Sequence, residues 1–446
     1  MTAELWWCEH AWVADTVADA VTIEVTDRRI SAITPGPTAP PNANRLHGLV
    51  LPGLANAHSH AFHRALRART QRGRGSFWTW RDLMYATAAS LNPDSYRTLA
   101  RAVYAEMALA GITTVGEFHY LHHDADGRRY ADPNAMAHAL IDAARAVGIR
   151  LTLLDTCYLS AGLDGAPLAG TQLRFGDGTA ADWAERAHAL PKSRDDVHIG
   201  AAIHSVRAVP FHQMRTVVDW AEQHDAPLHV HACEQTAEVQ DCLSVHGCTP
   251  IALLRDHGVL GPRTTVVHAT HLTDADLADL AHSQTGACLC PTTERDLGDG
   301  IAPAAALIAN PGSFSLGTDS HAVIDLFEEA RAVELDERLA RRERGLIPSD
   351  RLLAAATTGG HNALGWADAG SLAIGQRADL VAVDLDSVRT AGGGATVENV
   401  VFAANSADVT DVIVDGRPIV RDRVHLVVTD PAAELNKAIA TLMEPG

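Results

Sequence analysis

Eight short apolar runs separated by stretches of helical spacing limit what this chain can fold into more than any other feature. The runs cover 49–58, 112–118, 149–157, 198–204, 227–232, 264–269, 286–290 and 313–318. Between them, segments such as 95–110, 133–147, 210–224 and 274–283 place apolar residues at helical intervals. Strands that alternate with helices in this way predict an α/β chain closed into a parallel (β/α)₈ barrel of the TIM type.

The ends of these runs carry chemistry. The first ends in His58-Ser-His60, and residues i and i+2 of a strand share a face. The fifth ends His229-Val-His231-Ala-Cys-Glu234, the sixth His268 and the eighth Asp319. A His-x-His pair alone is commonly a satisfied polar pair. Histidines and a carboxylate at four strand ends instead suggest a barrel enzyme with a catalytic metal, since such barrels do their chemistry at the C-terminal face. The second run leads into Glu117-Phe-His-Tyr120, the fourth ends His204-Ser-Val-Arg207, and the seventh ends Cys290-Pro-Thr-Thr-Glu294.

Composition excludes several function classes. The net charge of −19 disfavours nucleic acid and anionic membrane surfaces. No apolar run approaches the roughly 18 residues of a membrane span. The first ten residues lack a basic region followed by an apolar stretch, and the seven cysteines are scattered without a Cys-x-x-Cys pair. A cytoplasmic protein with reduced thiols is expected. With 446 residues, there is room for a large catalytic domain and a smaller one. Residues 1–50 and 369–446 hold short β-like pieces, at 21–26, 29–34, 379–384 and 411–415, joined by Pro- and Gly-rich turns. A small β-sandwich built from both chain ends is therefore expected beside a barrel over 51–368. There is no internal repeat.

Pro52-Gly-Leu-x-Asn-x-His-x-His60, followed by His231, His268 and Asp319 on later strands, resembles the amidohydrolase superfamily, and so does the stretch 369–384. The resemblance spans nearly the whole chain. Binuclear members of the superfamily bridge two metals with a lysine on strand four. Here that place holds His204, and the two lysines, Lys192 and Lys437, fall at no strand end. His231-Ala-Cys-Glu234 instead matches the His-x-x-Glu of the mononuclear deaminase branch. Within it, His58-Ser-His-Ala-Phe62, the aromatic segment 76–85, Cys290-Pro-Thr-Thr-Glu294 with Leu297-Gly-Asp-Gly300, and Gly317-Thr-Asp-Ser-His321 resemble the formimidoylglutamate deiminases.

That resemblance implies hydrolysis of N-formimino-L-glutamate to N-formyl-L-glutamate and ammonia, in histidine degradation. It implies a homodimer with one divalent metal ion, zinc by the chemistry of its ligands, on His58, His60, His231 and Asp319. Glu234 is the implied proton shuttle. His268 orients the attacking water or serves as a further ligand, and Asp319 also accepts a hydrogen bond from that water. The small dicarboxylate substrate needs cations, and Arg81 and Arg207 are the candidates, joined by His204 and Tyr120. His63 departs from the family, where Gln is usual. His229 is expected to pack on the opposite face of its strand. The segment 76–85 is a lid, a subunit contact or a buried satellite cluster. Glu117, His119, His122 and His123 read as a polar loop. A deaminase of a nucleobase or other aminated heterocycle is the alternative activity. An inactive metal-binding scaffold is a third reading, against which the intact Glu234 and His268 stand.

Overall fold

A computed structural model describes residues 3–71, 77–191 and 193–443; the side chains of Phe77 and Trp78 lie outside the described residues, as do Ser76 and Lys192. Eight parallel strands form one sheet in chain order: β1 (Leu54–Ser59), β2 (Ile112–His119), β3 (Arg150–Cys157), β4 (Val197–Ser205), β5 (Leu228–Ala232), β6 (Thr264–His268), β7 (Gly286–Leu289) and β8 (Phe314–Leu316). All but β4 are buried along their whole length, as expected of a sheet covered on both faces. The expected helices are present, as Pro93–Leu109, Ala135–Val147, Phe211–Gln223 and Asp274–Ser283.

The last strand returns to the first. The amides of Thr318 and Asp319 donate to the His58 carbonyl, each at 3.0 Å, and the His60 amide donates to Asp319 O at 3.2 Å. The Asn56 side chain fastens the same seam, accepting from the Thr318 amide at 3.0 Å and donating to Thr318 Oγ1 at 2.7 Å. Backbone closure thus fixes the separation of His58, His60 and Asp319.

The second sheet also has eight strands and takes them from both ends of the chain. At its centre Asn44–Pro52 lies parallel to Glu4–Val13 and antiparallel to Leu380–Val383. This corrects the expectation that 49–58 is one strand. The run divides at Gly53, where a Cβ would approach Thr113 Oγ1 to 2.3 Å and Asp379 Cβ to 2.8 Å. The residues before it join the second sheet, and those after it open the barrel.

Several elements had no counterpart in the sequence reading, among them the strands Glu4–Val13 and Arg417–Arg421 and the helices Leu326–Arg341 and Pro431–Met443. All seven cysteines are free thiols, six of them buried. No helix among the described residues is long and apolar enough to cross a membrane.

Candidate active site

At the C-terminal mouth of the barrel four donor atoms converge. His58 Nε2 lies 3.0 Å from His231 Nε2 and 3.3 Å from Asp319 Oδ1, and His60 Nε2 lies 3.2 Å from the same oxygen. Two of the rings are aimed by the backbone. His60 Nδ1–H donates to Phe118 O at 3.0 Å, and His231 Nδ1–H donates to His204 O at 2.9 Å. Each bond fixes the tautomer and leaves Nε2 bare toward the cluster. Asp319 and His268 both stand at positive φ, +41° and +74°, an unfavourable region for residues with a Cβ, which the strand-end turns impose.

The donor set fits a divalent metal ion. Bonds of about 2.0–2.2 Å to four tetrahedral ligands put neighbouring donors about 3.3–3.6 Å apart, near the observed spacing. Burial pushes the His58 imidazole down to about 3 and that of His231 well below the ordinary histidine range, so both offer lone pairs rather than protons. Burial opposes charge on Asp319, yet the His58 and His60 rings against it hold its carboxyl well below the usual carboxylate range. Three neutral imidazoles and a carboxylate form a borderline ligand set.

His268 stacks on His231, ring centres 5.4 Å apart and planes 17° from parallel, and its Nε2 lies 3.8 Å from Glu234 Oε1. Glu234 follows β5, and its amide donates to Glu238 Oε2 at 3.1 Å. The other Glu238 oxygen lies 3.9 Å from Arg207 Nε, so one buried carboxylate holds both Glu234 and Arg207 in place. On the far wall Tyr120 and His63 share a 3.0 Å hydrogen bond between the hydroxyl and Nε2. Helix Phe77–Ser90 brings Trp80, Arg81, Met84 and Tyr85 to the cavity. Trp80 and Met84 are also buried in the main hydrophobic core, so the segment is part core and part cavity wall.

One cavity gathers His60, His63, Arg81, Tyr120, His204, Arg207, His231, Glu234, His268 and Asp319. His58 sits beneath it, fully buried. His229 faces away, its Nε2 donating to Ala363 O at 2.9 Å.

The expected polar loop from Glu117 to His123 is instead interior. Glu117 lies within the buried strand β2 and accepts from the Ala61 amide at 2.7 Å and from Ser59 Oγ at 2.9 Å. Burial pushes its carboxyl up to about 7. His119, His122 and Asp155 also cluster, but Arg186 and Trp183 Nε1 occupy both Asp155 oxygens, and a guanidinium beside a cation site opposes metal binding.

Sequence reasoning missed several residues of the cavity and its walls. Glu238, four residues after Glu234 on the next helix, shows a periodic signal that could have found it. Glu294 and Asp299 lay in segments already singled out. Burial, with the charge of Glu234 nearby, pushes the Asp299 carboxyl up to about 9. Tyr158 and Phe175 come from loops after β3 and gave no local signal.

The sequence matches the amidohydrolase family over residues 49–419. The chain belongs to the amidohydrolase family. It is 40% identical over 432 residues to the formimidoylglutamate deiminase of Pseudomonas aeruginosa, covering 94% of each chain. The crystal structure of an amidohydrolase from Brucella melitensis superposes with a TM-score of 0.92 at 33% identity, over 99% of this chain and 100% of that one. An adenosine deaminase from Xanthomonas campestris, solved with bound zinc, superposes with a TM-score of 0.82 at 25% identity, over 98% and 97% of the two chains. This chain is thus a hydrolase whose relatives include deiminases and deaminases.

Proposed function

We propose that this enzyme hydrolyses N-formimino-L-glutamate to N-formyl-L-glutamate and ammonia, as a step of histidine degradation. The observation that carries the reading is one cavity lined by three of the four donors, by Glu234 and by two arginines, Arg81 and Arg207. A linear amidine bearing two carboxylates needs both the donors and the arginines. The P. aeruginosa deiminase, similar along nearly its full length, supports the same substrate.

In this reading His58, His60, His231 and Asp319 hold one zinc ion. When bound there, zinc supplies Lewis acidity that lowers the pKa of water from about 15.7 towards about 7. Glu234 takes a proton from the attacking water and delivers it to the departing nitrogen. The water oxygen adds to the formimino carbon, the remaining hydroxyl proton follows the first to the terminal nitrogen as the C=O forms, and the C–N bond to that nitrogen breaks, so that ammonia leaves while the amide to glutamate stays. His268 orients the water through Nε2. Arg81 and Arg207 bind the carboxylates, with His204 and Tyr120 beside them, and His63 contributes through its bond to Tyr120.

Five aromatic rings, Trp80, Tyr85, Tyr120, Tyr158 and Phe175, favour a second reading, deamination of a heterocycle stacked among them. Two arginines in so small a cavity suit a dicarboxylate better. The test is ammonia release by zinc-loaded protein from N-formimino-L-glutamate, with N-formimino-L-aspartate, guanine and adenosine as comparisons. Turnover of the glutamate compound alone upholds the proposal; ammonia from a purine and none from the formimino acids replaces it with the second reading.

A further inference from the structure

His268 stands between two carboxylates with different tasks. Its Nε2 edge faces the cavity, toward Glu234. Its Nδ1 edge faces away, and Glu294 Oε1 lies 3.4 Å from it. Glu294 is 4% exposed, on the short helix Pro291–Leu297 after β7. The Cys290 amide donates to the same oxygen at 2.9 Å, and the backbone carbonyl of Glu294 accepts from the Asp299 amide at 2.8 Å, so the carboxylate and the backbone that carries it are both tied.

An ionised carboxylate only accepts hydrogen bonds. A lone pair on Nδ1 would face the carboxylate lone pairs, which is repulsive. Nδ1 therefore carries a proton and donates it to Glu294, which leaves the Nε2 edge turned to the cavity and Glu234.

We propose that Glu294 is the positioning residue of the active site: its carboxylate takes the Nδ1–H of His268 and so aims the Nε2 edge of the ring at the attacking water. The inference rests on the role given to His268 above, and it adds a residue from a different strand end to the machinery. Glu294 touches no substrate and acts through His268 alone.

The test uses the full-length, zinc-loaded enzyme and joins two readouts. In ¹⁵N-histidine-labelled protein, with the His268 signal identified by its loss in His268→Asn, wild type should show the proton on Nδ1. A wild-type Nδ1 without a proton overturns the proposal, and because this measurement needs no substrate it stands even if N-formimino-L-glutamate proves to be the wrong one. In kinetics on whichever compound releases ammonia, Glu294→Ala should lower kcat by about 10–100-fold, the usual cost of losing a residue that orients a catalytic group, with KM changed less than threefold. Glu294→Gln, whose amide oxygen can still accept from Nδ1–H and from the Cys290 amide, should recover at least tenfold of a hundredfold loss and keep the Nδ1–H signal. Equal loss in the Ala and Gln variants, or an Ala variant with wild-type kcat, overturns it. If Glu294→Ala does not fold, the wild-type Nδ1 signal and the Gln variant decide.

Discussion

Glu234 and Arg207 are held by the same buried Glu238, yet they serve opposite ends of the proposed substrate, and their variants should separate cleanly. Glu234→Gln keeps size and packing but removes the base. Its kcat should fall by about 10²–10⁴-fold, the usual worth of a positioned general base, with zinc content unchanged. Arg207→Met keeps most of the buried stem and removes the charge. Its main effect should be a higher KM, by about 10-fold or more, since a charge-assisted hydrogen bond contributes about 1.5–3 kcal/mol. Steady-state kinetics with metal analysis checks both. A fall in kcat without a change in KM for Arg207→Met would remove it from carboxylate binding. The four donors belong to the same scale. Chelation should abolish turnover and lower Tm, and zinc should restore both, because an ion bound only by the folded state stabilises it by mass action.

At the scale of elements, the seam between β1 and β8 is where sequence and site meet. Gly317 lies in it with an ordinary φ, so its role is spatial: a Cβ would come within 2.6 Å of His58 Cβ and 2.9 Å of Cys290 Sγ and His58 O. Gly317→Ala must push His58 away from Asp319. It should cost about 1–3 kcal/mol of stability through overpacking and, more tellingly, weaken zinc affinity. Competition with a chromogenic chelator measures the second effect; unchanged affinity would mean that the seam adjusts without moving the donors. The strand ends were legible because each is an apolar run stopped by a ligand-type residue. His58, His60, His231, His268 and Asp319 could therefore be named before any fold was seen. The first strand's true start was not legible, since Leu49 to Leu54 is apolar on both sides of Gly53 and only the close approach of Thr113 and Asp379 reveals the break. Glu117 and His119 were misjudged for a related reason: polar residues beyond an apolar run look solvated until the loops that bury them are known. Tyr158 and Phe175 reach the cavity through tertiary packing alone.

For the whole molecule, the question is what ties the second sheet to the barrel floor, opposite the active site. Arg150 opens β3 and is 2% exposed; its guanidinium binds both oxygens of Asp379, just before Leu380–Val383, and reaches Asp415 at 3.1 Å. Trp366 packs beneath it, the guanidinium carbon 5.3 Å from the ring centre. Burial opposes charge on Asp379, but Arg150 holds its carboxyl below the usual range. Breaking a buried pair from one side strands the other charge, at a cost of about 3–5 kcal/mol. Asp415 remains as a second partner, so Asp379→Asn should fall at the low end. With an unfolding entropy of about 2.1 cal/mol/K per residue, a loss of about 3 kcal/mol in a chain this long moves Tm by only about 3 °C. The pH dependence is the sharper signature. A carboxyl whose folded pKa lies below its unfolded value of about 3.9 gives its full stabilisation above that value and loses it as pH falls through the folded pKa. The Tm gap between wild type and Asp379→Asn should therefore be constant from pH 7 to about 5 and close in more acid solution. A gap that persists unchanged at pH 2 would show that Asp379 acts there through its shape and its hydrogen bond from the Asp415 amide rather than through its charge.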